Sequence, residues 1–280
     1  MAAFFAWGNA PNSFVVGKGS LLDYQNLPDE YAGKFKSYEW NAMKLSAFYT
    51  GPQGFHWASQ PNSAWSARAP ETLVPLLHTQ FLSDTGPGRG YCQFVAFAPD
   101  GVSWFARFSS KTSLCGPARE TLPATFRAII ADLDAHHPRQ DACLDFVAFG
   151  AHDVVLVRFE NGNSGMFLPE GKEARKGIDP GFVVEVEDRL KDGWTFGNRT
   201  TLCQNDSARW FIEWRRGPTA EFRFSTGEGE AAKEVLTRIN KVLSGEGNNA
   251  AMVADHQAAD MIAANSTFQS QLMIGRLISG

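Results

Sequence analysis

Residues Tyr91–Leu133, YCQFVAFAPDGVSWFARFSSKTSLCGPARETLPATFRAIIADL, contain one complete copy of the unit that organises this chain. Apolar and aromatic residues at Phe94–Phe97 suit a buried strand. Pro99–Gly101 is turn chemistry, because proline fixes φ and glycine tolerates a positive φ. Trp104–Phe108 then resumes as a strand, so the two segments pair as a hairpin. A short third strand follows, and Leu122-Pro123 opens a helix, since proline is favoured in the first helical turn.

The same hairpin recurs along the chain, which indicates an internal repeat. With Trp104 as the anchor of the second strand, the five anchors are Phe14, Phe55, Trp104, Val155 and Trp210. The helix entries that follow them are Leu27-Pro28, Ala69-Pro70, Leu122-Pro123, Asp179-Pro180 and, without proline, Gly229–Ala231. Such a spacing is typical of propellers, solenoids and arrays. One strand triplet with one helix cannot bury its own apolar face, so the copies must pack on one another.

The sequence therefore predicts an α/β (α+β) fold of five β-β-β-α repeats in a single domain, residues 1–245. The copies are predicted at residues 2–40, 45–82, 91–133, 142–193 and 195–245. A closed five-unit, propeller-like array is the preferred arrangement, and an open array or a two-layer α+β domain are the alternatives. Residues 250–280 are predicted to form a C-terminal helix outside the repeat. That helix packs across the array or, alternatively, serves as a homo-oligomerisation element or a lid.

Composition narrows the class of protein. The chain has 280 residues, 44% of them hydrophobic, which is enough for a sizeable core. The net charge of −4 and the lack of a basic run argue against nucleic acid or an anionic membrane as main partner. No signal peptide is visible and no apolar stretch approaches the length of a membrane span, so a cytoplasmic protein is predicted. The spacings of the four cysteines fit no zinc or redox pair, which favours buried, inert thiols.

Candidate catalytic residues lie at equivalent positions of the second strand. Side chains alternate along a strand, so the first and third residues after each anchor share a face. The third position is Arg107, Arg158 and Glu213 in three successive copies, and this alignment puts His56 on the same face. If the face points to the axis, the arginines could hold an oxyanion while Glu213 and His56 move protons. The alternative is a solvated strand face or a structural ion-pair network.

Aromatic residues of the same strands are candidates for the wall of a substrate pocket. They are Phe105, Trp57, Trp104 and Phe211, although Trp57 and Trp104 fall on the opposite strand face and are alternatively core. No glycine-rich phosphate loop and no His-Glu-x-x-His spacing is present. The sequence therefore predicts neither a metal nor an organic cofactor.

The hairpins FVAFAPDGVSWFARF and FVAFGAHDVVLVRF and the helix entries YQNLPDEYAGKF and ETLPATFRAI carry a family resemblance. The chain resembles, over most of Ala2–Leu243, a group of fungal proteins built from such repeats. A few of these are similar to the hetero-Diels–Alderases of tropolone–sesquiterpenoid biosynthesis. The shared segments are structural, so no catalytic residue is carried over. The resemblance implies an apolar small-molecule substrate and a reaction without a cofactor.

Two functions of different classes are consistent with these observations. The first is a fungal secondary-metabolism enzyme that cyclises, or joins by cycloaddition, an apolar phenolic or tropolone and a terpenoid, with proximity supplying much of the rate. The second is a carbohydrate-binding repeat lectin, in which exposed tryptophans stack on sugars and repeated sites give avidity. The equivalent residues Gly17, Ala58, Arg107, Arg158 and Glu213 differ from copy to copy. That divergence favours one asymmetric site over five equal ones.

Overall fold

The computed structural model describes residues 3–8, 10, 12–18, 21–36, 47–59, 65–81, 92–136, 144–244 and 273–277. Unit 1 has β1 (Ala3–Trp7), β2 (Phe14–Lys18), β3 (Leu21–Gln25) and α1 (Asp29–Lys36). Unit 2 has β4 (Ala47–Thr50), β5 (His56–Ser59), β6 (Trp65–Arg68) and α2 (Val74–Phe81). Unit 3 has β7 (Cys92–Phe97), β8 (Trp104–Phe108), β9 (Ser113–Gly116) and α3 (Ala124–His136). Unit 4 has β10 (Leu144–Phe149), β11 (Val155–Phe159), β12 (Ser164–Phe167) and α4 (Pro180–Lys191). Unit 5 has β13 (Thr195–Phe196), β14 (Thr201–Leu202), β15 (Arg209–Arg216), β16 (Thr219–Thr226) and α5 (Glu230–Ser244).

The units confirm the predicted mixture of helices and antiparallel strands. Units 1 to 4 each form a three-stranded antiparallel sheet in chain order. In unit 5 the first strand is split into β13 and β14, and both pieces pair with β15. Sheets this small cannot bury both faces alone, so each must pack on its neighbours.

The helix starts follow from capping chemistry at the predicted entries. Asp179 caps α4 by accepting hydrogen bonds from the backbone N–H groups of Gly181 and Phe182, and Pro180 is the first helical residue. Helix α2 differs from the prediction, because it begins at Val74 rather than directly after Pro70. A turn intervenes there, in which Leu73 donates its N–H to the carbonyl of Pro70.

The hairpin registers agree with the sequence in three units. Trp7 pairs with Phe14 and Phe97 with Trp104, and Phe149 pairs with Val155 across the shorter turn of unit 4. In unit 2 the predicted anchor is wrong by one residue, and Phe48 pairs with Ala58 rather than with Phe55. In unit 5 the predicted anchor Trp210 is correct, but its partner is not the expected Cys203. Thr50 pairs with His56, and Leu202 pairs with Trp210. A shift of one residue exchanges the two faces of a strand, so the anchor of unit 2 is His56 and not Phe55.

Each helix packs against the following unit rather than against its own sheet alone. Tyr31 of α1 contacts Phe48 of unit 2, with ring centroids 6.0 Å apart. Phe126 of α3 meets Phe149 of unit 4 at 5.0 Å. Trp104 of unit 3 donates its indole N–H to Thr72, just before α2. The sheets of units 2 and 4 therefore pack against the helix that precedes them in the chain.

The last unit also contacts the first. Helix α5 packs on β2 and β3, and Arg238 forms an ion pair of 2.6 Å with Asp23. The guanidinium of Arg238 lies 5.1 Å from the ring centre of Phe14. A cluster of buried side chains, including Phe5 and Phe211, fills the space between units 1 and 5.

The first strands of the units meet one another. β1 contacts β4, β4 contacts β7, β7 contacts β10, β10 contacts β14, and β14 contacts β1. The second strands, on which the sequence placed the candidate site, lie one strand further out in each sheet. A pocket shared by several units is therefore expected between the first strands rather than between the second strands.

The predicted C-terminal helix is wrong for the part of it that the structure describes. Met273–Leu277 is a strand, β17, which pairs antiparallel with β16. Residues 250–272 and 278–280 lie outside the described residues, and so does Cys143.

Candidate functional site

A pocket lies where the first strands of the five units meet, and we call it the first-strand pocket. It is lined by residues of β1, β4, β7, β10 and β14 together with Thr200 and Gln204. Within this lining, the equivalent positions Ala6, Ala96 and Ala148 are occupied by small residues, whereas Tyr49 and Thr201 replace the alanine in units 2 and 5. The pocket is therefore asymmetric, although its walls come from repeated elements.

The free space in the first-strand pocket is small. The centres of water-sized spheres can occupy about 30 Å³ of it. Since one ordered water needs roughly 10–15 Å³ by this measure, the space accommodates about two water molecules or a polar group of that size. A larger ligand could place one end here only if the rest of it lay outside this space.

Three polar atoms on residues lining the pocket have no hydrogen-bond partner among the described residues. They are the indole Nε1 of Trp7, the hydroxyl oxygen of Thr201 and the amide Oε1 of Gln204, and all three atoms are buried. A buried polar group without a partner costs about 1–3 kcal/mol, so such groups in a native fold call for an explanation. Because three of them belong to residues that line one pocket, this pocket is the candidate ligand site.

Two hydrogen bonds between non-consecutive units hold the pocket walls together. Tyr49 of unit 2 donates its phenolic O–H to the carbonyl of Asn198 of unit 5, at 2.7 Å. Gln204 of unit 5 donates its amide N–H to the carbonyl of Phe97 of unit 3. Burial, and then the charge of Glu213, raise the pKa of Tyr49, which keeps the phenol neutral. Tyr49 is therefore a hydrogen-bond donor in the pocket wall and carries no charge.

Arg107 is buried in a network of ion pairs between units 3 and 4. Its Nη1 donates to the hydroxyl of Ser113 at 2.9 Å and to the carbonyl of Leu144 at 3.2 Å. Its Nη2 lies 2.6 Å from Oε1 of Glu160, and its Nε lies 3.6 Å from Oδ1 of Asp145. With its donors engaged in this way, the guanidinium joins two neighbouring units.

Arg158 continues this network from unit 4 to unit 5. Its Nε donates to Oδ2 of Asp145 at 2.7 Å, and its Nη2 donates to Oδ1 of Asn198 at 2.6 Å. A further bond runs from Nη1 to the carbonyl of Phe196. Asp145 thus stands between Arg107 and Arg158, and the structure brings these two predicted residues together.

Glu213 is fully buried beside the interruption of the first strand in unit 5. Its Oε2 accepts the backbone N–H of Arg199 at 2.9 Å, and its Oε1 accepts from Nη2 of Arg215 at 2.6 Å. Because residues 197–200 loop out between β13 and β14, the carboxylate fits where a continuous strand would run. The same loop provides Asn198, which bonds to Tyr49 and Arg158. Glu213 therefore stabilises a loop that reaches both the pocket wall and the ion-pair network.

His56 does not lie with the other three predicted residues. Its register places it on the opposite face of the sheet, where its ring centre is 4.6 Å from Tyr31 and 6.2 Å from Phe48. Burial, reinforced by the positive charge of Lys34, lowers the pKa of His56 to about 4. The expectation that His56 shares a face with Arg107 is thus wrong, and its imidazole is neutral near pH 7.

The predicted wall residues are buried outside the lining of the first-strand pocket. Phe105 packs against Phe126, with centroids 6.4 Å apart, and Phe211 stacks on Phe5 at 4.7 Å. Trp57 and Trp104 are core residues, as the alternative interpretation held. Phe211 therefore joins unit 5 to unit 1, whereas Phe105 packs within unit 3.

The described cysteines have the character expected of structural thiols. Cys92 and Cys203 are buried, and burial raises the pKa of each thiol. Cys115 is half-buried. A protonated thiol is a poor nucleophile, so neither buried cysteine is prepared for covalent chemistry.

The sequence did not identify Trp7, Thr201 or Gln204 as functional residues. The charged residues of the second strands give a stronger signal in the sequence than these three neutral side chains. The first strands do carry a signal at the position held by Ala6, Ala96 and Ala148, where Thr201 departs from the pattern.

No protein-family model, curated protein or solved structure matches this chain. The function is therefore argued from the geometry of the molecule. Among the described residues, no group of three or more His, Cys, Asp or Glu side chains is placed to hold a metal ion. In the same part of the chain no helix has the length and apolar character needed to span a membrane.

Proposed function

We propose that the five units close into a five-unit, propeller-like ring with the first-strand pocket on its axis. The contacts from β1 through β4, β7, β10 and β14 back to β1 support this arrangement. The docking of α5 on unit 1, with Arg238 paired to Asp23, supplies the contact between the last unit and the first. Ligands of ring-shaped repeat proteins bind where equivalent positions converge.

We propose that the chain is an enzyme that binds an oxygen-bearing end of an apolar small molecule in this pocket. The observation that carries the proposal is the set of partnerless polar atoms on Trp7, Thr201 and Gln204, which all line this pocket. The reaction proposed is a cofactor-independent cyclisation or cycloaddition of a phenolic or tropolone compound with a terpenoid. Fixed hydrogen-bond donors and proximity are the means by which a protein accelerates such a step.

The charged residues predicted from the sequence take a positioning role in this proposal. Arg107, Asp145 and Arg158 join units 3, 4 and 5 behind the pocket wall. Glu213 holds the loop that carries Asn198. Because their charged groups bond to protein atoms, they act on the pocket through the strands that they connect.

The lectin alternative requires aromatic side chains that are open to solvent. The six tryptophans whose exposure is described, Trp7, Trp57, Trp104, Trp194, Trp210 and Trp214, are all buried. The described exposed large hydrophobic residues are Val102 and Val184, which cannot stack on a sugar. The geometry of the described residues therefore favours the small-molecule site.

A thermal-shift comparison tests the proposal. The purified chain is titrated with tropolone, simple phenols, terpenoid alcohols and a sugar panel. At ten times the Kd a ligand of the right class raises the Tm by about 2–4 °C. The Trp7→Phe variant should lose the shift, whereas Trp194→Phe, which alters a buried tryptophan outside the pocket, should keep it. A shift with sugars alone, equal in both variants, would contradict the proposal.

A product assay tests the reaction. In a hetero-Diels–Alder cycloaddition the two π bonds of an oxygen-containing diene and the π bond of an alkene are consumed, while two σ bonds and one π bond form and no atom is lost. When the diene is a quinone methide formed from its precursor by loss of water, the product mass is the sum of the precursor and alkene masses less one water. Incubation of an ortho-quinone methide precursor and a cyclic sesquiterpene should give more of one stereoisomer with the native chain than with Trp7→Phe. Equal isomer ratios with and without protein would rule out catalysis of this step.

A further inference from the structure

The three partnerless atoms of the first-strand pocket all belong to the junction between the first and last units. Trp7 ends β1, Thr201 begins β14, and Gln204 follows β14 closely. β1 and β14 contact each other directly. A molecule that satisfied these atoms would therefore bond to unit 1 and unit 5 at the same time.

The types of the three atoms restrict the chemistry of that molecule. An indole N–H can only donate, an amide oxygen can only accept, and a hydroxyl does both. The bound group must therefore offer an acceptor to Trp7 and a donor to Gln204. Among the described residues, none that lines the pocket is charged at neutral pH, since Tyr49 is held neutral. Burying an ion there would go uncompensated, so the bound group is uncharged.

The free space limits the size of the bound group. Room for about two water molecules is room for two oxygen atoms on neighbouring carbons. A hydroxyl beside a carbonyl fits this description, because the carbonyl accepts and the hydroxyl donates. A carbonyl or an ether alone has no hydrogen-bond donor, so either group would leave Oε1 of Gln204 without a partner.

We propose that the first-strand pocket recognises an uncharged α-hydroxycarbonyl group and that this group fastens unit 1 to unit 5. The proposal rests on the proposed function only in using the same pocket, and it names the part of the substrate that is read there. The carbonyl oxygen accepts from Nε1 of Trp7, the hydroxyl donates to Oε1 of Gln204, and Thr201 completes the set. Binding then adds contacts between the first and the last unit of the chain.

The test uses hydroxyacetone, the smallest ketone with an adjacent hydroxyl, on the full chain. Methoxyacetone keeps the acceptor but lacks the donor, and pyruvate replaces the neutral group by a charge. We expect hydroxyacetone to bind about ten-fold more tightly than either compound, as judged by NMR titration, since one hydrogen bond or one uncompensated charge separates them. Equal binding of the three, or no binding of hydroxyacetone, would overturn the proposal.

Variants locate the binding. Thr201→Val replaces the hydroxyl by a methyl group of similar size, and Trp7→Phe removes the indole N–H together with part of the ring. Each should weaken hydroxyacetone binding about ten-fold. Trp194→Phe is the matched control and should bind like the native chain. If Trp7→Phe does not fold, Thr201→Val carries the test alone. The proposal is overturned if a folded Thr201→Val variant binds hydroxyacetone as tightly as the native chain and Trp7→Phe either does the same or does not fold. The binding site would then lie outside this pocket.

Hydrogen exchange tests the fastening of the two units. Bound hydroxyacetone should slow amide exchange in β1 and β14 more than in the hairpin of β7 and β8, which belongs to unit 3. Equal slowing of amide exchange in all of these strands would contradict the proposal that the ligand joins units 1 and 5. If hydroxyacetone is selected but no phenol or terpenoid shifts the Tm, the proposed reaction fails and this inference stands. If phenolic and terpenoid ligands shift the Tm but hydroxyacetone binds no more tightly than methoxyacetone and pyruvate, this inference fails and the proposed function stands.

Discussion

The carboxylate of Glu213 occupies the space that a side chain at Gly197 would need. A Cβ atom at position 197 would lie 2.3 Å from the carboxyl carbon of Glu213. The backbone of the two residues is also joined, since Gly197 donates its N–H to the carbonyl of Glu213 at 2.6 Å. The interruption between β13 and β14 therefore depends on a glycine and a buried acid that fit together.

Gly197→Ala should destabilise the fold by about 1–3 kcal/mol, because the added methyl group overpacks a buried site. Urea denaturation followed by tryptophan fluorescence measures the change. Gly33→Ala is the matched control. Gly33 lies in helix α1 with open space around it, so alanine there should be neutral or stabilising by up to about 1 kcal/mol. Equal stability of the two variants would show that the contact between residues 197 and 213 does not constrain the loop.

Asp145→Asn tests whether the arginine network joins the units. The substitution removes the charge that faces both Arg107 and Arg158, and we expect a loss of about 1–3 kcal/mol in the free energy of unfolding. The control is Asp134→Asn. Its pair with Arg119 is open to solvent and should change stability by no more than about 0.5 kcal/mol.

The same variant separates a positioning role from direct contact with the ligand. Asp145→Asn should lower the Tm of the free chain while leaving the number of ligand sites unchanged. A complete loss of ligand binding at full stability would instead place this network in contact with the ligand.

His56 makes stability fall at acidic pH. Its pKa is about 4 in the folded chain and near 6.5 when unfolded, so the unfolded state binds the extra proton between these values. Stability is therefore complete above pH 6.5 and declines as the pH falls from 6.5 to 4, by roughly 3 kcal/mol at most. The difference in unfolding free energy between the native chain and His56→Gln, measured from pH 7 to pH 4, should shrink by that amount.

The control for this measurement is His152→Gln, since His152 lies exposed in the turn between β10 and β11. Its pH profile should parallel that of the native chain. A profile of His56→Gln that is also parallel would mean that burial of the imidazole does not govern acid stability.

Arg238→Ala tests the contact between the last unit and the first. Loss of the ion pair with Asp23 and of the contact with Phe14 should cost about 1–2 kcal/mol. It should also speed amide exchange in β2, β3 and α5 ahead of the rest of the chain. Lys233→Ala, on an exposed face of the same helix, should leave both properties unchanged. Uniform acceleration in Arg238→Ala would argue against a separate junction between units 1 and 5.

The order of the elements was largely predictable from the sequence, and the details of the turns were not. Turn residues such as Pro99–Gly101 and capped helix starts such as Asp179 act locally, so their structure follows from nearby chemistry. The turn after Thr50 closes with one residue fewer than the sequence alignment assumed. Its sequence GPQGF resembles GAHDV of unit 4, and alignment on that copy would have placed His56 correctly.

The candidate site was less predictable than the fold, for a physical reason. Which strand of a sheet faces its neighbours depends on contacts between units that are far apart in sequence, such as that of Tyr49 with Asn198. Alternation within one strand says which side chains share a face, but not what that face meets. The equivalence of Arg107 and Arg158 was recognisable, whereas their shared partner Asp145 in the first strand of unit 4 was not.

The packing of each helix on the next unit has a consequence for synthesis on the ribosome. The sheet of unit 1 is covered by α5, which is translated after all the other described helices. Until then the apolar face of β2, with Phe14 and Val16, has no helix to cover it. Nascent chains therefore carry an exposed, aggregation-prone surface throughout elongation, and a chaperone that binds early and releases late would protect it.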